Sequence, residues 1–372
     1  MNDLALDGSG SGSSSGSSSS IGSESGRSNG AEPQVEDVRP QVEGSKPQVE
    51  ILMATHNGDK YLSAQIESIL AQDYDNILLT IFDDGSTDGT IRCIERYVDN
   101  LGKVRLVGSE RIGLPAVFFH LLSFVDSQSY YIGYADQDDL WLPGKISRAV
   151  KLLGAKSLGA KLLDETSKDI ARSEESSKCV ENRPTLYCSR VFIANEQLQV
   201  TGITPIPEHG ASFANALVQG IAPGSTMLFD RKAASLLTSF TPQDSPMHDW
   251  WTYLVVSAVG DVIFDQLPGL LYRQHNANAR GVGDNGRWSW RKRILWHFQE
   301  GAHSSTRQAA ELRRLLTGDQ AGNPGMLPEL DDFLDSQRTL IRRARYCITG
   351  SAHRQRKIDD LVFRILYLLG RI

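Results

Sequence analysis

Tyr130-Tyr131-Ile132-Gly133-Tyr134-Ala135-Asp136-Gln137-Asp138-Asp139-Leu140-Trp141 joins an apolar-rich run to an acidic triplet at the point where a strand should end. Three carboxylates at the mouth of a sheet repel one another and lose hydration, so a chain that gathers them there usually has a cation to bind. A hard divalent ion is the simplest candidate. Mg²⁺ in particular is held by one or two carboxylates plus substrate phosphates, which points to a phosphate-bearing substrate. The same residues also read as a solvated loop ahead of a helix N-terminus, and the surrounding chain has to decide between the two.

Working backwards, Val49 to Ala54 is a short apolar run ending in Thr55-His56-Asn57-Gly58, and Tyr61, Ile66, Ile69 and Leu70 follow at helical spacing. Leu78 to Phe82 gives a second strand that ends at Asp83-Asp84-Gly85-Ser86-Thr87-Asp88-Gly89, with a helix from Thr90 to about Asn100. Val104 to Val107 reads as a third strand, Ala116 to Val125 as a third helix and Tyr130 to Tyr134 as the fourth strand. Continuously apolar strands alternating with helices indicate an α/β fold, with a mainly parallel sheet covered on both faces. Ligands of such a sheet bind beyond the carboxyl ends of the strands. Thr55-His56-Asn57, Asp83-Asp84 and Asp136-Gln137-Asp138 all lie at such ends, which favours a site over three unrelated solvated loops. The glycine fingerprints of dinucleotide and P-loop sites do not follow the first strand, which argues against a Rossmann dehydrogenase or P-loop ATPase.

Further on, a helix begins near Pro143, and residues 154 to 183 have the composition of an exposed insertion. Thr185 to Ser189 resumes the ordered chain, and Gln219 to Phe229 places Gly224-Ser225-Thr226 ahead of an apolar strand. That triplet reads either as a close approach of backbone to ligand or as an ordinary turn.

The 372 residues carry a net charge of −6, and the pI near 5.8 argues against a dedicated nucleic-acid binder. The charge is uneven: from Asp284 onward sixteen Lys and Arg stand against ten Asp and Glu, so the preceding part is correspondingly acidic. Residues 8 to 30 are nearly all Gly, Ser and small polar residues, read as a flexible tail. Pro33-Gln34-Val35-Glu36 recurs at Pro40 and Pro47, a seven-residue period whose prolines exclude a coiled coil and suggest an extended linker. The expected organisation is therefore a tail and linker over 1–47, an α/β domain over 48–280 and a helical, basic region over 281–372. No basic-then-apolar leader and no run of about eighteen apolar residues is present, so the expected location is cytoplasmic. Cys93, Cys179, Cys188 and Cys347 are scattered, which suggests neither a zinc site nor a disulfide framework.

Together, Ala54-Thr55-His56-Asn57-Gly58, Phe82-Asp83-Asp84-Gly85-Ser86-Thr87-Asp88, Asp136-Gln137-Asp138-Asp139-Leu140-Trp141-Leu142-Pro143-Gly144-Lys145-Ile146 and His248-Asp249-Trp250-Trp251 resemble the inverting glycosyltransferases of family 2, over roughly residues 48 to 280. The resemblance implies the GT-A fold and a nucleoside-diphosphate sugar donor, a dTDP- or UDP-sugar. The third and fourth motifs are similar in form to those of bacterial rhamnosyltransferases, and His56 departs from the tyrosine frequent at its position. By the same resemblance Thr55, Asn57, Asp83, Asp84 and Asp136 would bind the donor nucleotide. Asp138, with His275, would hold Mn²⁺ or Mg²⁺, and Arg273 would meet the diphosphate. Asp249 would be the general base, and Gly224, Ser225, Thr226, Trp250 and Trp251 would line the sugar and acceptor pocket. Asp249 also reads as a helix N-terminal acid favoured by the dipole, and His275 as a structural histidine. The acceptor implied is a cell-surface polysaccharide or lipid-linked glycan. A sugar-nucleotide pyrophosphorylase would be expected to open with a glycine-rich basic loop where Ala54-Thr55-His56-Asn57 stands; a non-catalytic nucleotide- or glycan-binding module has no need of both Asp138 and Asp249.

Trp288-Ser289-Trp290-Arg291-Lys292-Arg293 and the apolar, arginine-bearing Leu361 to Ile372 suit a helix lying on the inner face of a membrane. They equally suit helices that pack on the catalytic domain or form a homo-oligomer.

Overall fold

The first strand, β1 (Gln48–Thr55), is buried along nearly its whole length because it lies inside the sheet, paired on both sides. It pairs in parallel with β2 (Ile77–Asp83) on one side and β4 (Ser129–Ala135) on the other, and β3 (Val104–Ser109) extends the parallel half beyond β2. The register sets Thr55 opposite Asp83, Asp83 opposite Ser109 and Met53 opposite Ala135, so the polar residues that follow these strands emerge along one edge. The computed structural model describes residues 46–98, 102–167, 183–243, 245–275, 304–317 and 327–372. The glycine and serine tail, most of the linker, residues 168–182, Cys179 and the Trp288 to Arg293 cluster lie outside the described residues.

Beyond β4 the sheet changes direction. β9 (Leu228–Asp230) runs antiparallel to both β4 and β6 (Thr185–Ser189), and β6 pairs in parallel with β10 (Asp261–Asp265). The order is β10-β6-β9-β4-β1-β2-β3. A second, four-stranded sheet was not legible in the sequence. It contains β5 (Leu140–Trp141), β11 (Leu270–Arg273), β7 (Phe192–Ala194) and β8 (Val200–Ile203), in the order β5-β11-β7-β8.

Alternate side chains of β1 leave on opposite faces. Ile51 and Met53 pack with α1 (Asp59–Leu70), α2 (Thr90–Glu95) and the start of α4 (Lys145–Ser167). Leu52 packs on the other side with α3 (Ala116–Leu122), α5 (Phe213–Ala216), α6 (Arg231–Ser239) and α7 (His248–Val259). Glu50, wholly buried on β1, is satisfied by Thr80 Oγ1 at 2.6 Å, Arg105 Nη2 at 2.7 Å and Ser129 Oγ at 2.8 Å. A buried charge needs such partners to be tolerated. Helix α4 runs well past the expected start of the insertion at residue 154.

The C-terminal helices α8 (Ser304–Thr317), α9 (Pro328–Ser336), α10 (Leu340–Thr349) and α11 (Lys357–Leu368) share this second core: Leu312, Phe333 and Tyr367 belong to the same cluster as Leu217 and Trp251. Polar contacts reinforce the docking, with Asn215 Nδ2 donating to His353 O at 3.0 Å and Gln355 Nε2 to Gly210 O at 2.7 Å. Among the described residues no helix is long and apolar enough to cross a membrane.

Candidate active site

At the C-terminal edge of the parallel strands Thr55 Oγ1 donates to Asp83 Oδ1 at 2.9 Å. Asp83, wholly buried, also accepts from Ser86 N at 2.8 Å, Ser86 Oγ at 2.5 Å and Ser109 Oγ at 3.1 Å. Both oxygens are thus engaged in fastening three strand ends together. Asp84 accepts from the backbone N–H groups of Ile112 and Gly113, at 2.5 and 2.7 Å, and from Arg111 Nη1 at 2.9 Å. Asn57 takes a left-handed conformation with φ 49°, which asparagine tolerates better than most residues. Its side-chain oxygen accepts from Thr87 N at 2.8 Å. Thr55, Asn57, Asp83 and Asp84 therefore lie together and shape one loop cluster.

Gln137 couples that cluster to the acidic loop. Its Oε1 accepts from His56 N at 2.8 Å and its Nε2 donates to His56 O at 3.0 Å, so one amide clasps one residue's backbone. The approach explains Gly58, where a Cβ would lie 2.2 Å from Gln137 Oε1.

In the acidic loop Asp138 Oδ2 lies 2.8 Å from His275 Nε2, and both side chains are nearly enclosed, at 13% and 10% exposure. Asp139 is wholly buried; Oδ1 accepts from Arg273 N at 3.2 Å, while Oδ2 has no hydrogen-bond partner. Burial raises the Asp139 carboxyl well above its usual range, with the charges of Asp136 and Asp138 adding to the effect. Asp136 is pushed up to about 7, first by lost hydration and then by the charges of Asp138 and Asp249. The buried Ser225 hydroxyl acts in the opposite direction on both.

Two cations stand close by. Arg273, on β11, donates from Nε to Asp138 O at 2.8 Å and from Nη1 to Glu196 O at 2.6 Å, with its guanidinium carbon 4.5 Å from the Tyr61 ring centroid. Lys145 lies with Nζ 3.3 Å from the Trp141 ring centroid; burial lowers its pKa to about 7, against the opposing charge of Asp139.

Asp249 is the second residue of α7, where the helix dipole favours a carboxylate. Its Oδ1 accepts from Trp250 N at 2.6 Å, and its charge reaches Asp136, Tyr134 and Tyr272. Trp250, half-buried, donates from Nε1 to Ala216 O at 2.7 Å. Trp251 is wholly buried in the core and donates to Phe240 O at 2.9 Å, so it has no face to offer a sugar. His248 is buried too, stacked 3.7 Å from Phe118, and burial lowers its pKa to about 3.

Gly224-Ser225-Thr226 forms a buried 3₁₀ turn in which Thr226 Oγ1 donates to Pro223 O at 2.8 Å. All three are buried, so the turn offers no exposed face to a sugar; Ser225 acts only on the electrostatics of Asp136 and Asp139. A Cβ on Gly224 would lie 2.4 Å from His248 Nε2, on a ring held by Phe118. Gly224→Ala is therefore expected to cost about 1–3 kcal/mol in urea unfolding, as overpacking typically does, and His248→Ala in the same chain should recover part of the loss.

The raised Asp136 also predicts a pH dependence. A carboxyl that keeps its proton longer when folded favours folding at low pH, and that contribution is lost as pH rises from about 4 through about 7. His248 acts in the opposite sense, adding stability as pH rises from about 3 to about 6.5. The difference between the parent and Asp136→Asn isolates the carboxyl. Unfolding of the metal-free pair between about pH 5 and about pH 8 should show the parent losing more stability.

Residues 50–160 match the family model described as glycosyl transferase family 2. The chain carries a glycosyl transferase family 2 domain. The glycosyltransferase is 25% identical over 267 residues to the dTDP-rhamnosyl transferase RfbG of Shigella flexneri, covering 67% of this chain and 81% of that protein. It is 32% identical over 103 residues to an uncharacterized glycosyltransferase of Haemophilus influenzae, covering 28% of this chain and 41% of that protein. Among solved structures, S. aureus TarS 1-349 in complex with UDP-GlcNAc aligns at TM-score 0.47 and 13% identity, over 80% of this chain and 87% of that one. The mannosyltransferase PcManGT from Pyrobaculum calidifontis with GDP-Man and Mn²⁺ aligns at TM-score 0.44 and 16% identity, over 88% and 86%. The glycosyltransferase's own sheet, mainly parallel and flanked by helices, accords with the GT-A fold. The match sets aside a pyrophosphorylase and a non-catalytic module.

Sequence reasoning placed Gln137 in the acidic cluster without seeing its clasp on His56, and missed Tyr61, Glu196 and Lys145 as parts of this site. Lys145 carried a signal, four residues after Trp141 within a motif already singled out. Tyr61 and Glu196 carried none, since their 2.7 Å hydrogen bond joins positions 135 residues apart.

Proposed function

We propose that the glycosyltransferase moves a sugar, rhamnose being the first candidate, from a dTDP- or UDP-sugar to a hydroxyl of a cell-surface polysaccharide or lipid-linked glycan, with inversion and with a divalent cation. The observation that carries this reading is the convergence of Asp136, the Asp138–His275 pair and Asp249 around the end of β4. The similarity to a dTDP-rhamnosyl transferase supports the donor.

Asp138 and His275 are the pair that Mn²⁺ or Mg²⁺ would use; among the described residues no group of three or more carboxylate, histidine or cysteine side chains is gathered to hold an ion, so substrate phosphates would complete its coordination. Asp138 Oδ2 and His275 Nε2 face each other, Asp139 leaves a buried oxygen unpartnered, and Asp136 is held toward its neutral form first by burial and then by the charges of Asp138 and Asp249. Asp138 and His275 would hold the ion, which when bound supplies Lewis-acid neutralisation of charge on the departing diphosphate. Arg273 serves the diphosphate through its charge while holding the Asp138 and Glu196 carbonyls. Thr55, Asn57, Asp83 and Asp84 shape the nucleotide pocket, and Trp250 borders the sugar and acceptor. Asp249 takes the proton of the attacking hydroxyl, close enough to Asp136 for the two charges to oppose each other, which favours proton uptake.

Thermal unfolding of the purified chain with UDP-, dTDP- and GDP-sugars, each with Mn²⁺, Mg²⁺ or EDTA, tests this. A rise with dTDP-rhamnose that EDTA abolishes is expected. No rise with any donor in any metal would defeat the reading, and a rise with another nucleotide class would replace the donor.

A further inference from the structure

Helices α10 and α11 form a hairpin with a split personality. Their inner faces meet through Tyr346 and Tyr367, whose rings stack 5.1 Å apart, and bury Phe363 and Leu366 in the core. Their outer faces are apolar as well: Ile341, Ile348 and Ile358 are 83%, 85% and 75% exposed, and Leu361, Ile365 and Leu369 are each more than half exposed. The spacing of Ile358, Leu361, Ile365 and Leu369 puts them in one stripe along α11. More than half of the large apolar side chains exposed among the described residues belong to this hairpin and its ends.

The charge around the stripe is equally one-sided. Residues 340–372 contain eight Lys and Arg against two Asp, which accounts for the whole basic surplus of the region from Asp284 onward, in a chain whose net charge is −6. Arg342, Arg345, Arg356, Lys357 and Arg371 are exposed, while Asp360 is occupied by Arg364 at 2.8 Å and by Arg354 N at 2.8 Å.

We propose that this hairpin is a landing surface for an anionic lipid bilayer. Apolar side chains ringed by cations bind such an interface by insertion and charge attraction together. A second copy of the chain fits poorly, because a two-fold contact through this face would press two strongly cationic patches together. The acidic remainder of the chain would be repelled by the same lipids, which orients the molecule with the hairpin down. The inference goes beyond the catalytic assignment and needs no part of it.

Flotation of the full chain tests it, with vesicles of phosphatidylcholine alone or mixed with an equal part of phosphatidylglycerol. The chain is expected to float with the mixed vesicles and to remain behind with phosphatidylcholine alone. Replacing Ile341, Ile348, Ile358 and Leu361 together by Ser should lower the bound fraction at least about tenfold, given the apolar area removed, with an unchanged unfolding midpoint because these side chains are exposed. Arg342→Glu with Arg345→Glu should weaken binding and reduce its salt dependence. Three results would overturn the proposal: no binding to the mixed vesicles, undiminished binding of the Ser variant, or a dimer in sedimentation equilibrium that the Ser variant dissolves.

Discussion

Asp249→Asn is expected to lower kcat by about 10²–10⁴-fold, the usual contribution of a positioned general base, while the donor dissociation constant stays near its parent value. The substitution is nearly isosteric, and the amide oxygen can still accept from Trp250 N as Oδ1 now does at 2.6 Å. The fold therefore has no reason to change beyond the loss of one carboxylate from a helix N-terminus, which costs about 0.3–1 kcal/mol. On the proposed mechanism, what disappears is the ability to take a proton from the attacking hydroxyl. Donor binding by calorimetry and transfer at saturating donor separate the two effects. Transfer retained at the parent rate would show that Asp249 only stabilises the first turn of its helix.

Asp138→Asn should act earlier. Its carboxylate faces His275 at 2.8 Å, with both side chains largely shielded from water. Replacing the carboxylate by an amide keeps an oxygen but removes the negative charge that Mn²⁺ or Mg²⁺ would draw on, and on the proposed mechanism this weakens the neutralisation of the leaving diphosphate. A fall in kcat of about 10²–10³-fold is expected, comparable to removing one electrostatic contact to a transition state. Unlike the Asp249 variant, this one should also lose the metal-dependent part of donor binding, and raising Mn²⁺ should restore some activity. An unchanged Mn²⁺ dependence of activity would remove Asp138 from the metal site. The two variants thus fail at different steps.

The central strands were legible because burial on both faces makes them continuously apolar, as in Val49 to Ala54 and Leu78 to Phe82. The small sheet was hidden because β5 and β7 span only two and three residues, too short for any periodicity to register. The antiparallel insertion of β9 was equally silent, since pairing direction leaves no trace in so short a segment. In the site, the carboxylates could be picked out by residue type and by position after strands. Their partners could not. Trp251 looks like Trp250 in sequence, yet one turns into the core and the other is half-buried beside Ala216. Likewise Arg273 announces a charge, but its hold on the Asp138 and Glu196 carbonyls depends on the second sheet.

The acidic loop has one more property that follows from the two sheets. β4 ends at Ala135 in the large sheet and β5 begins at Leu140 in the small one, so the four residues between them are one of the short bridges from sheet to sheet, like those from β6 to β7 and from β10 to β11. Both ends of this bridge are fixed by strand pairing, and its middle is clasped through Gln137. Lengthening it by one residue would therefore have to displace either the strand pairing or the Gln137 clasp, and the acidic side chains with them.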